Sequence, residues 1–269
     1  MKSSFTLARP ASKRVREASA GHADSTGSDR YVEVLGTRVR YIVAGGQHAG
    51  PPLLMVHGYN GSCDYWYPHA LPGLAAERRV IAFDLPGNGW SGAWERYSLE
   101  AYAGFIPDFM DVLGIAQADL LGHSMGGLVA MAAVAAYPHR FRKLVLVDSA
   151  GARSLRFDVR TSMRMLTDSS LWQVRLYPTF LRVAFRGRAV GHGMSILRAR
   201  SMARDSLSAL ALPTLVIWGR RDRLIPPDHG SLIAKHIPGA RHVVISGAGH
   251  MPFYEKPAEF NKHVLEFLR

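Results

Sequence analysis

Cysteine is nearly missing from this chain: Cys63 is the single one in 269 residues. That excludes an internal disulfide and a zinc site built from several thiolates. No run of 18 apolar residues occurs, the length that a membrane-crossing helix needs. Internal repeats and low-complexity blocks are absent as well. Apolar residues make up 48% of the chain and charged residues 20%, which excludes a fibrous protein and a globally disordered one. The length suits one large domain, or one domain with a modest insertion, held by its apolar core.

Acidic charge is also in short supply. Lys and Arg number 33 against 21 Asp and Glu, a formal net charge of +12. The excess is uneven. Residues 151–211 carry eleven arginines but only three acids, Asp158, Asp168 and Asp205, and so contribute +8 of that total. Residues 1–16 add five basic groups and no acid. The first 28 residues, rich in Ser, Ala, Arg and Gly, read as a basic mobile tail. They contain no secretory apolar stretch, which points to a cytoplasmic chain. Their Arg- and Ser-rich start, with a first acid at Glu17, also fits organelle targeting.

From Tyr31 onward, short apolar runs alternate with helical stretches. Tyr31–Leu35 and Val39–Val43 flank Gly36-Thr37 and read as a hairpin. Leu53–Val56, Val80–Phe83, Leu120–Leu121, Leu144–Val147, Leu215–Trp218 and Val243–Ile245 are compact runs without polar alternation, as strands buried on both faces should be. Helices are expected over Ser98–Leu113, Met125–Ala136, Pro227–Ile237 and Pro257–Leu268, the two prolines sitting where a first turn accepts them. Strands and helices in this order imply a mostly parallel, doubly wound α/β sheet. The rhythm breaks between Asp148 and Thr214, where apolar residues and arginines interleave without a strand. The expected organisation is a tail over 1–28, a core over 29–150 and 212–269, and a helical cap over 151–211.

The strongest chemical signal is Gly122-His123-Ser124-Met125-Gly126-Gly127, placed between a short strand and an alanine-rich helix. G-x-S-x-G in that context is a nucleophile elbow, in which glycines on either side let a strained turn push Ser124 Oγ above the sheet. A nucleophilic serine needs a base and an orienting acid. His250, in Gly249-His250 after a late strand, is the candidate base. Asp222, after Trp218-Gly219, is the candidate acid, with Asp148 at the preceding strand end as its rival. The loop Val56-His57-Gly58-Tyr59-Asn60-Gly61 follows an early strand. Its Tyr59 N–H, with that of Met125, would form the oxyanion hole, and Asn60 is second choice to Tyr59. His57 is expected to brace this loop and His123 to pack beneath the elbow.

These motifs, with Asp84-Leu85-Pro86-Gly87-Asn88-Gly89-Trp90-Ser91, Pro213–Asp222 and Gly249-His250-Met251-Pro252, resemble those of the α/β-hydrolase superfamily. The resemblance spans Tyr31 to Arg269 except the interior of the cap. It is with the serine-nucleophile branch of carboxylesterases, lipases and carbon–carbon bond hydrolases. It implies a structural role for Asp84 and excludes the aspartyl-ester chemistry of dehalogenase and epoxide hydrolase relatives, which carry aspartate where Ser124 stands.

The expectation is therefore a serine hydrolase of carboxylic esters, working through an acyl-enzyme and signalling no metal or organic cofactor. Alternatives are a hydrolase of ring-fission diketones and a ligand-binding protein of low turnover. The substrate pocket is expected from Trp172, Tyr177, Phe180 and Met251. The expected partner is a small-molecule ester, lipid-like ones included. The cap arginines read as a solvated basic face, as a surface meeting an anionic membrane, or as a guard for an acidic substrate. No motif for reading nucleic acid is present.

Overall fold

A computed structural model of the chain describes residues 29–67, 69–153, 202 and 204–269. The expected tail and most of the expected cap, with Trp172, Tyr177 and Phe180, lie outside the described residues.

The chain enters through an antiparallel pair, β1 (Asp29–Val34) and β2 (Thr37–Ala44). Their two-residue turn is Leu35-Gly36, with φ of 49° and 76°, one position earlier than the sequence suggests. A tight hairpin of this kind needs positive φ at both central residues, and here a leucine supplies one of them. Six further strands follow: β3 (Leu53–Val56), β4 (Val80–Phe83), β5 (Ala118–His123), β6 (Phe141–Val147), β7 (Thr214–Gly219) and β8 (Arg241–Ile245). The sheet order is β1-β2-β4-β3-β5-β6-β7-β8, parallel from β4 onward.

Every residue of β3, β4, β5 and β7 is buried, because helices cover both faces. Successive side chains point to opposite faces and so divide the core in two. Leu54, Val56, Ile81 and Phe83 pack with α2 (Leu99–Val112), α3 (Met125–Ala136), α4 (Arg204–Ser208) and α5 (Asp228–His236). Leu53, Met55, Val80 and Ala82 face the other way, toward α1 (Ala70–Ala75), α6 (Pro252–Glu255) and α7 (Pro257–Leu268). The Ser98 hydroxyl starts α2 by accepting the Ala101 N–H at 3.1 Å.

The chain order reverses direction between β3 and β5, which lie side by side with Val56 opposite Gly122. A crevice outside the carboxyl ends of the strands at such a switch point is where open α/β sheets bind ligands. The segment expected as a cap leaves the core just after β6. Its base is closed by a hydrogen bond from Met202 N–H to Gly151 O, 2.7 Å.

Candidate active site

Ser124 stands between β5 and α3 at φ 54°, ψ −119°, a conformation that a residue with a side chain rarely adopts. The surroundings hold it there. Its N–H donates to Val147 O at 3.0 Å, and its carbonyl accepts from Gly127 and Ala150 at 3.0 Å each. The flanking glycines are sterically required. A Cβ on Gly122 would meet the Gly126 carbonyl, and one on Gly126 would meet the carbonyls of Val56 and His57. This near-contact of three backbones presses the β3 loop against the serine. A Cβ on Gly58 would sit 3.1 Å from Ser124 Cβ.

His250 and Asp222 reach this place from the ends of β8 and β7. The His250 Nδ1–H donates to Asp222 Oδ2 at 2.8 Å, with the two side chains 2% and 0% exposed. Asp222 Oδ1 accepts two backbone N–H groups, from Leu224 at 2.8 Å and Ile225 at 2.9 Å. These donors fix the carboxylate, which in turn orients the imidazole through its Nδ1–H. The strand ends approach closely, since a Cβ on Gly219 would run into Gly249 O.

Two supports hold the histidine loop. The His123 Nε2–H donates to His250 O at 2.8 Å, and the two rings lie 4.8 Å apart. This ties the residue before the serine to His250. Burial, then neighbouring His250, holds the His123 imidazole well below its ordinary range, so it is neutral with one N–H to give. The second support is Glu255. Its carboxylate accepts the N–H of Gly249 at 2.9 and 3.0 Å and that of Met251 at 3.2 Å, one on each side of His250. Glu255 was not legible in the sequence, because its partners are backbone groups that leave no mark in residue types. Met251 itself is 1% exposed, within the core cluster on the α7 side of the sheet.

The β3 loop is braced as its sequence suggests. The His57 Nδ1–H donates to Gly58 O at 2.7 Å, and Nε2 accepts the Leu85 N–H at 2.9 Å. Burial lowers the basicity of this imidazole, and both ring nitrogens are engaged. Asn60 holds φ 56°, its carbonyl accepts the Tyr65 hydroxyl at 3.0 Å, and Tyr59 packs against the α2–α3 core. Met125 opens α3, where the first N–H groups of a helix have no partner within it. Asp84 is structural. It accepts the N–H of Cys63 at 2.7 Å and of Trp90 at 2.8 Å, with Arg40 3.7 Å away.

The chain matches a known family. A family description for the alpha/beta hydrolase fold matches residues 51–192 and 154–257. The chain belongs to the α/β-hydrolase fold family. A dihydrolipoyllysine-residue acetyltransferase component of the acetoin cleaving system from Pseudomonas putida is 32% identical, over 95% of this chain and 73% of that one. The 2-hydroxymuconate semialdehyde hydrolase of Pseudomonas sp. strain CF600 is 32% identical, over 82% of this chain and 87% of that one. Among solved structures, the enol-lactonase of Burkholderia xenovorans LB400 superposes with a TM-score of 0.76 at 26% identity, over 89% and 99% of the two chains.

In this α/β hydrolase, one group of donor atoms also has the spacing of a metal site. Atoms of Asp148, Asp222 and His250, all buried, lie within 4.8 Å of one another. The His250 Nδ1 and both Asp222 oxygens are already engaged in hydrogen bonds. No helix among the described residues is long and apolar enough to cross a membrane.

Proposed function

We propose that this α/β hydrolase cleaves carboxylic esters through an acyl-enzyme on Ser124, with His250 as the base and Asp222 as the orienting acid. The observation that carries the reading is the 2.8 Å hydrogen bond from His250 to Asp222, tied through His123 to a serine held at φ 54°. His250 Nε2 takes the Ser124 proton while Oγ attacks the ester carbonyl. The oxyanion is received by the N–H groups of Tyr59 and Met125, one such donor being worth about 2.7–4 kcal/mol. His250 then gives the proton to the leaving alcohol. In the second half it takes a proton from water as the water oxygen attacks the acyl carbonyl, then returns that proton to Ser124 Oγ as the acid leaves. Asp222 accepts from Nδ1–H throughout and takes no proton itself. The segment between Gly151 and Met202, with Trp172, Tyr177 and Phe180, is proposed to shape the acyl pocket, since it leaves and returns beside β6.

A second reading has support of its own: one 32% identical relative is the hydrolase of 2-hydroxymuconate semialdehyde, a carbon–carbon rather than an ester substrate. The test is hydrolysis of p-nitrophenyl esters from two to sixteen carbons, with a ring-fission dienone in parallel and Ser124→Ala beside both. Ester turnover that falls by about 10⁴-fold or more in the variant supports the proposal. Consumption of the dienone alone moves the reaction to carbon–carbon cleavage. Full activity in Ser124→Ala overturns both readings.

A further inference from the structure

A second carboxyl stands beside Asp222. Asp148 leaves β6 at φ 42° and is fully buried. Its Oδ1 accepts the Gly219 N–H at 2.8 Å, while Oδ2 is buried without a hydrogen-bond partner among the described residues. It lies with Asp222 and His250 in the group whose atoms fall within 4.8 Å of one another. The two acids are served unequally. Asp222 accepts three N–H groups, the environment of an ionised, acceptor-only carboxylate, and Asp148 accepts one. Two negative charges at this spacing in a dry site oppose each other, and the acid with fewer donors keeps its proton. Burial first, and the neighbouring Asp222 second, push the Asp148 carboxyl well above the usual carboxylate range.

We propose that Asp148 is a positioning residue that stands uncharged and donates its Oδ2–H to Asp222. The inference rests on the reading of Asp222 as the triad acid. Its effect passes through that acid. A donor on the Asp222 carboxylate draws charge from the group that accepts from His250. No proton leaves the pair during turnover: Asp148 keeps it and Asp222 shares it as a hydrogen bond. The groups facing the pair are the Gly219 N–H at the end of β7, His250 and Glu255 from the β8 loop and α6, and His229 from α5.

The test compares the native protein with Asp148→Asn and Asp148→Gly. The asparagine amide keeps both bonds, accepting from Gly219 and donating to Asp222, and asparagine tolerates positive φ. Glycine removes the carboxyl at a φ it adopts freely. Two quantities are read: the proton resonance of the His250 Nδ1–H without substrate, and the acid limb of the kcat/KM profile on an ester. Native and Asp148→Asn should agree in both. Asp148→Gly should move the resonance downfield and the acid limb up by about one pH unit, since a hydrogen bond to a charged group has been removed.

Unchanged values in Asp148→Gly overturn the proposal, as does an Asp148→Asn that shifts as far as Asp148→Gly. If Asp148→Gly does not fold, Asp148→Ser, whose hydroxyl is too short to reach Asp222, takes its place. The resonance needs no substrate, so it decides the role of Asp148 even where esters go uncleaved, a failure that would fall on the functional reading alone.

Discussion

At the carboxyl ends of the parallel strands, Asn60, Ser124 and Asp148 hold positive φ, and His57, His123, Asp148, Asp222 and His250 are buried. The amino ends are built differently. There Arg78 donates to Leu268 O at 2.8 Å and pairs with Asp119 at 2.6 Å, Lys143 donates to Phe267 O at 2.8 Å, and Arg140 reaches the carbonyls of Ile115 and Ala116 at 2.9 Å. No non-glycine residue among those described is strained at that end. Long side chains there tie α7 and the β5 and β6 entries together. They do so through side chains whose loss leaves the opposite strand ends in place. At the other end, short side chains are placed by the backbone itself, which cannot relax without moving the chemistry. The comparison predicts that substitutions at the carboxyl ends change turnover more than stability, and those at the amino ends the reverse.

The largest effect is expected from Asp222→Asn. The N–H groups of Leu224 and Ile225 both point at Oδ1, so the amide oxygen must take that place. The NH₂ then faces His250 Nδ1, which has to offer a lone pair there and carry its proton on Nε2. An imidazole in that tautomer cannot accept from Ser124. Ester kcat should fall about 10⁴-fold, the size seen for this change in a serine protease triad, with the melting temperature almost unmoved. A loss under tenfold would mean that Asp222 does not orient the base.

Gly126→Ala comes next and blurs the division. Its Cβ would meet the carbonyls of Val56 and His57, neither of which is a flexible group. The elbow must shift, and a displacement of that order costs about 10²-fold in turnover. Forcing the extra methyl in should also cost about 1–3 kcal/mol of stability. Native activity in this variant would show that the elbow tolerates a movement the packing opposes.

Arg78→Ala sharpens the comparison from the other side. It strands the fully buried Asp119 and frees the Leu268 carbonyl. Breaking such a pair costs about 3 kcal/mol, readable by chemical unfolding, while kcat should stay within about twofold of native. Arg78→Met with Asp119→Leu should recover most of the loss. A drop in kcat larger than the drop in stability would break the rule.

Much of this division could be read from the residues before any coordinates. Strands covered on both faces must be apolar throughout, so β3, β4 and β7 stand out as runs. Ser124, Asp222 and His250 could be named as candidates because each follows such a run in a glycine-rich turn. The sequence pattern sets the hairpin turn one residue late because Leu35 occupies a position that favours glycine. Helices α1 and α6, of six and four residues, are too short to show a period. Glu255 and the pairing of Asp148 with Asp222 depend on which strand ends become neighbours, and sheet order is not carried by local pattern. Sequence showed Asp148 as a rival for the same imidazole, and the structure makes it a neighbour of the acid that holds it.

The smallest effect concerns pH. Burial holds His57 and His123 neutral in the fold, below the ordinary imidazole value of 6.5 that they regain on unfolding. As pH falls through 6.5, the unfolded chain binds protons that the folded one refuses, so their contribution is complete above that value and is lost beneath it. Asp148 slopes the other way. Its carboxyl, raised from 3.8, binds a proton in the fold that the unfolded chain releases, so it favours folding at low pH. The net curve mixes both signs, and one histidine is best isolated by difference. His123→Gln keeps a donor for His250 O but cannot titrate. Between pH 6.5 and 5.5, one such imidazole is worth about 1 kcal/mol, or about 2–4 °C in melting temperature. The native protein should lose that much more than His123→Gln over this interval. Parallel curves would mean that His123 accepts a proton inside the fold, and then the neutral, strained end of the sheet would be less rigid than its geometry implies.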